Sequence, residues 1–72
     1  MAEPITLYGK PTCPHAFNAR RELENRGVEY TYVDVLEDKT ALEEMLRVNG
    51  GLRRVPTIVE GDRVTVGYKG KY

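Results

Sequence analysis

The stretch Tyr8-Gly9-Lys10-Pro11-Thr12-Cys13-Pro14-His15-Ala16 constrains this chain more than any other. The apolar run at its start, Ile5-Thr6-Leu7-Tyr8, predicts a strand that breaks at Gly9 and Pro11. Proline is favoured at the first position of a helix. Pro14 therefore predicts a helix start, with Cys13 at its N-terminus. The unpaired N–H groups and the helix dipole at such an end favour negative charge. A thiol placed there is drawn toward the thiolate, which is the nucleophilic form. Cys13 is the only cysteine in the chain.

Size and charge narrow the rest. The 72 residues predict one small domain, residues 1–72, near the limit at which a single core suffices. A single cysteine cannot form an internal disulfide to staple it. Eleven basic residues balance eleven acidic ones, so no overall charge draws the chain to nucleic acid or a membrane surface. No apolar stretch approaches the roughly 20 residues of a membrane span. Met1 to Pro4 lacks the basic and apolar regions of a signal peptide. A lone thiol without an export signal predicts a reducing, cytoplasmic setting, and the expected state is a monomer.

Along the chain, the first strand covers about Ile5 to Tyr8 and the first helix Pro14 to near Arg26. Ala16, Phe17, Ala19 and Leu23 form the expected inner side of that helix, and Gly27 stops it. Tyr30 to Val35, rich in β-formers, predicts the second strand. Thr40 and Glu43 have the spacing of a capping box, and Leu42, Met45 and Leu46 supply one face of a second helix. Asn49-Gly50-Gly51 ends it. Thr57 to Val59 and Val64 to Val66 predict two strands joined by a hairpin at Glu60-Gly61-Asp62-Arg63. The order is β-α-β-α-β-β. The first two strands should be parallel neighbours and the last two antiparallel.

Lys10-Pro11-Thr12-Cys13-Pro14, with Val55-Pro56 before the third strand, resembles the glutaredoxin branch of the thioredoxin fold from about Ile5 to Tyr68. Leu23-Glu24-Asn25-Arg26-Gly27, Arg54-Val55-Pro56 and Gly61-Asp62 are similar to the redoxins that serve ribonucleotide reductase. The single redox position also resembles glutaredoxin-like selenoproteins, which carry selenocysteine there. The resemblance implies an α/β, thioredoxin-like mixed four-stranded sheet. The chain departs from the family's pattern in four places. Ala16 stands where two-cysteine members have a second cysteine, and Pro14-His15-Ala16 is not the Gly-Phe-Ser of cluster-carrying monothiol members. Val66-Gly67-Tyr68-Lys69 replaces Gly-Gly-x-Asp, so Lys69 takes the place of the acid that pairs with the glutathione amino group. The chain also stops at Tyr72, where the family continues into a last helix, so the expected fold lacks that helix.

What the resemblance implies can be set residue by residue beside plainer readings. Cys13 is the nucleophile, or a small buried hydrophobe. Lys10, Pro14 and His15 tune the thiolate, while Lys10 and His15 read equally as solvated side chains. Lys10 and Arg54, with Arg53 beside it, would meet a carboxylate of glutathione, or else are solvated charges. Val55 and a cis Pro56 would present backbone to a bound substrate, with Gly67 and Tyr68 beside the glutathione groove; a simple turn and packing are the alternatives. The activity implied is a monothiol thiol–disulfide oxidoreductase acting through Cys13 on glutathione mixed disulfides or protein disulfides. Glutathione is then a co-substrate and no cofactor is resident. The alternative is a module that binds a metal or iron–sulfur cluster through Cys13, glutathione and a second copy.

Overall fold

The first strand organises everything around it. In the computed structural model, which describes residues 4–71, β1 (Ile5–Gly9) is buried at every position but Thr6. It lies inside a sheet ordered β2-β1-β3-β4, where β2 is Thr31–Asp34, β3 Thr57–Glu60 and β4 Arg63–Val66. β1 pairs in parallel with β2 and antiparallel with β3, and β3 pairs antiparallel with β4. Helix α1 (Pro14–Asn25) connects β1 to β2, and α2 (Lys39–Asn49) connects β2 to β3. This is the expected mixed sheet. Tyr72, on which the expectation of an absent last helix falls, lies outside the described residues, as do Met1 to Glu3.

Side-chain alternation along β1 assigns each helix a face. Ile5 and Leu7 pack with Ala19 and Leu23 of α1, while Tyr8 packs with Val35 and with Ala41 and Met45 of α2. Leu7 and Met45 are 0% and 1% exposed. Burying such a side chain contributes about 1.5–3 kcal/mol each. Two alanines, Ala16 and Ala19, let α1 lie close to the sheet. A Cβ at Gly9 would stand 3.0 Å from the Ala16 Cβ and 3.2 Å from the Tyr32 ring, so a side chain there would push α1 or Tyr32 back by a few tenths of an ångström.

Local chemistry moves several boundaries. Phe17 is 58% exposed rather than inward, because the buried stripe is Ala16, Ala19 and Leu23 and Phe17 falls on its flank. β2 begins at Thr31 and stops at Asp34, whose carboxylate accepts from the N–H groups of Leu36 and Glu37 and turns the chain. The α2 cap is Asp38, not Thr40: its Oδ1 accepts from Thr40 N–H at 2.9 Å and Ala41 N–H at 3.4 Å. Aspartate caps at least as well as threonine, and Asp38 has the extended backbone a cap needs. Thr40 therefore sits inside the helix. Gly50, at φ 82°, closes the other end, where a left-handed residue is required. β3 and β4 each extend one residue further into the hairpin, to Glu60 and Arg63.

Tyr8 makes the fold sensitive to alkali. Burial, then the Glu44 carboxylate, raise its hydroxyl above the ordinary 10.0. The folded chain keeps the phenolic proton at a pH where the unfolded chain releases it. Its contribution to stability is therefore complete below about pH 10 and lost as pH rises through the folded value. Tyr8→Phe is expected to raise the pH midpoint of alkaline unfolding followed by circular dichroism. An unchanged midpoint would assign the alkaline transition to another group.

Candidate thiol site

The site is built where β1 hands the chain to α1. Cys13 N–H donates to the Lys10 carbonyl at 3.2 Å, closing a turn around Pro11 and Thr12. Cys13 then takes the N-cap position with extended backbone, Pro14 follows in the first helical turn, and Phe17 N–H donates to the Cys13 carbonyl at 3.1 Å. The thiol side chain makes no capping bond. Sγ instead reaches across the sheet end to the carbonyl of Val55, 3.7 Å away, on the α2–β3 loop. Cys13 is 7% exposed and forms part of a cleft of about 580 Å3.

The Val55–Pro56 peptide is cis. Gly67 N–H donates to the Pro56 carbonyl at 2.7 Å, fixing the proline from the far side. Lys10, His15, Arg53 and Arg54 line the cleft with Thr12 and Val55, and no acidic side chain does so among the described residues. The cleft is thus locally basic in a chain whose formal charge is zero.

The structure brings Lys10, Cys13, Pro14, His15, Arg54 and Val55 together around one opening. Gly67 supports Pro56 from behind and is itself buried. Tyr68 goes elsewhere: it packs on the α1 cluster, and its hydroxyl donates to Glu22 at 3.2 Å. Lys69 holds its ammonium 5.4 Å from the Tyr68 ring centre and borders α1 rather than the thiol cleft. Among the described residues no three His, Cys, Asp or Glu side chains gather into a metal site. No described helix is long and apolar enough to cross a membrane.

Asn49 and Thr57 hold the loop that carries Val55, and sequence reasoning misses both as parts of the site. Asn49 Nδ2 donates to the Leu52 carbonyl at 2.7 Å and to Thr57 Oγ1 at 3.2 Å. Its Oδ1 accepts from Gly51 and Leu52 N–H at 3.2 and 2.9 Å. Thr57 Oγ1 in turn donates to the Arg54 carbonyl at 2.9 Å. The last turn of α2 is thereby tied to the residue beside Val55. One signal in the sequence points to Asn49: it continues the inward spacing of Ala41 and Met45, where a polar residue must find partners.

Known proteins share this fold. The family profile described as Glutaredoxin matches residues 5–64. Mycoredoxin 1 of Corynebacterium glutamicum is 36% identical over 58 residues, which are 81% of this chain and 71% of that protein. The Gene 56 protein of Mycobacterium phage D29 is 36% identical over 62 residues, 82% of this chain and 64% of that one. Among solved structures, a glutaredoxin from Archaeoglobus fulgidus superposes with a TM-score of 0.82 at 30% identity, covering 94% of this chain and 77% of its own. The glutaredoxin-like NrdH-redoxin of Escherichia coli gives 0.79 at 30% identity, covering 92% and 84%.

Proposed function

This chain belongs to the glutaredoxin family, and from that membership we propose that it is a single-thiol thiol–disulfide oxidoreductase in which Cys13 is the nucleophile and glutathione the co-substrate. The observation that carries this reading is the placement of Cys13 Sγ, at a helix start and 3.7 Å from the Val55 carbonyl, beside an open basic cleft. The Cys13 thiolate attacks the glutathione sulfur of a mixed disulfide. A new Cys13–glutathione S–S bond forms, the old one breaks, and the released thiolate takes a proton from solvent. A second glutathione thiolate then attacks the glutathione sulfur of the adduct, giving oxidised glutathione and regenerating the Cys13 thiolate. One oxidised glutathione forms and one substrate thiol is freed, so no resident cofactor enters the cycle. Ala16 offers no second thiol, so resolution comes from outside. Lys10 and Arg53 meet the carboxylates of the incoming thiol. A reducing compartment such as the cytoplasm keeps the lone thiol available.

Intact mass measurement in oxidised glutathione tests the reading. One glutathione should add to the protein and none to Cys13→Ser. The adduct should disappear, with return of the free thiol, when reduced glutathione is supplied. An unmodified Cys13 under these conditions would sink the proposal.

A further inference from the structure

A groove of about 490 Å3 runs between the exposed side of α1 and the turn after β4, and it shares no lining residue with the thiol cleft. Arg21 and Arg26 line it along the helix, with Asn18 and Asn25 beside them, and Lys69 faces them from the turn. Its one acidic lining residue, Glu22, accepts from the Tyr68 hydroxyl. Among the described residues no hydrogen bond or ion pair engages Arg21 or Arg26. Their neighbour Arg20 differs: it donates to the Tyr30 hydroxyl and lies over the Tyr32 ring. The groove thus carries three cations against one engaged carboxylate, in a chain whose formal charge is zero. Phe17, 58% exposed, stands four positions before Arg21 and therefore on the same side of the helix. Aromatic rings and arginines are the residues enriched where proteins meet.

We propose that this stripe of α1 docks an extended, acidic segment of a partner polypeptide. An aliphatic residue of the segment lies over Phe17, and two carboxylates, each two residues further along, meet Arg21 and Arg26. Spacing and charge select this occupant. The helix rises about 6 Å from Phe17 to Arg21 and about 7.5 Å from Arg21 to Arg26. Alternate side chains of an extended chain point to one face and stand about 6.6–6.8 Å apart, so two-residue steps of the segment follow the stripe. The guanidinium groups match carboxylates in shape as well as charge. Lys69 and the amides of Asn18 and Asn25 flank the line and add donors. A lone phosphate would need the cations to converge on one point, whereas here they are strung out along the helix. A nucleic-acid strand would need a series of stacking rings. Phe17 is the only Phe, Tyr or Trp in α1, and the Lys69 ammonium already lies over the Tyr68 ring. The stripe uses no residue of the thiol cleft, so this inference stands apart from the oxidoreductase reading.

Amide chemical shifts of the full chain, titrated with capped peptides, test this. The probes carry the order Leu-Ser-Glu-Ser-Glu or its reverse, with Lys-for-Glu and Ala-for-Leu versions as controls. An oligothymidylate of eight nucleotides and inorganic phosphate are titrated alongside. One of the two Leu–Glu peptides should shift Phe17, Asn18, Arg21, Asn25, Arg26 and Lys69 and leave Thr12 and Val55 in place. Its affinity should fall with added salt, and the Lys-for-Glu version should not bind. Replacing both arginines by glutamine, Arg21→Gln with Arg26→Gln, should weaken it by about tenfold. Phe17→Ser should remove the preference for Leu over Ala. The variants should still take up glutathione at Cys13, which shows that they are folded. Absence of shifts with both Leu–Glu peptides overturns the proposal. Shifts centred on Lys10, Arg53 and Arg54 overturn it as well, because the segment would then bind in the thiol cleft. Equal or tighter binding of the oligothymidylate or of phosphate overturns the assignment to a polypeptide.

Discussion

Asn49→Ala is expected to lower the free energy of unfolding by about 2–4 kcal/mol. The amide makes two donor and two accepting hydrogen bonds, and Asn49 is 9% exposed. A typical bond contributes about 1 kcal/mol net, and a buried polar group left without a partner costs about 1–3 kcal/mol. The four losses do not simply add. Gly51 and Leu52 are exposed, so water can reach part of what Asn49 leaves. Thr57 is 0% exposed and cannot recover a partner in that way, although its bond to the Arg54 carbonyl remains. Asn49→Asp keeps the accepting oxygen and loses the donor, so its effect should be intermediate. Urea unfolding of the three proteins decides. A loss below about 1 kcal/mol for Asn49→Ala would show that the Gly67 bond to Pro56 already holds the loop. The expected damage also reaches chemistry, because this loop carries Val55 to within 3.7 Å of the thiol.

The thiol end of the site is legible in the sequence because it is encoded locally. Pro11 and Pro14 restrict the backbone within a few residues, and restricted backbone is what a sequence states most directly. The element order and strand pairing follow from the apolar runs and the glycine-marked turns for the same reason. The features that sequence misplaces depend on which of several similar neighbours wins. Thr40 and Asp38 are both good caps, and the extended backbone at Asp38, where Thr40 is already helical, decides between them. Phe17 reads as core by its chemistry, but the buried stripe of α1 runs through Ala16, Ala19 and Leu23 and leaves Phe17 on its flank. For Tyr68, after Gly67, the sequence leaves the cleft and packing open; packing on Ile5, Leu7, Ala19 and Leu23, residues far apart in the chain, decides. The Asn49–Thr57 brace likewise joins the end of α2 to the start of β3 through side chains, which element patterns do not reveal.

Ala16→Cys is expected to shorten the life of the Cys13–glutathione adduct by on the order of a hundredfold or more in the absence of added thiol. Position 16 is one helical turn beyond position 13, on the same side of α1. Ala16 is 1% exposed, and its Cβ abuts the Gly9 backbone closely enough that a Cβ there would stand 3.0 Å away. A thiol added at this Cβ is thus blocked toward the sheet. Helical side chains lean back toward the N-terminus, so it points along the remaining direction, toward Cys13. Attack by this neighbouring thiol on the adduct forms an internal disulfide between Cys13 and position 16 and releases glutathione as the thiol. It needs no second molecule, which accounts for the size of the effect. Ala16→Ser adds nearly the same bulk without a nucleophile and should leave the adduct as persistent as in the unaltered chain. Intact mass followed over time separates these outcomes. A long-lived adduct in Ala16→Cys would mean the two side chains do not meet and that something other than the missing thiol makes the adduct last. A short-lived adduct in Ala16→Ser would trace the change to crowding of the helix start against Gly9. Only the combination of a short life in Ala16→Cys and a long life in Ala16→Ser assigns the single-thiol character of this chain to position 16.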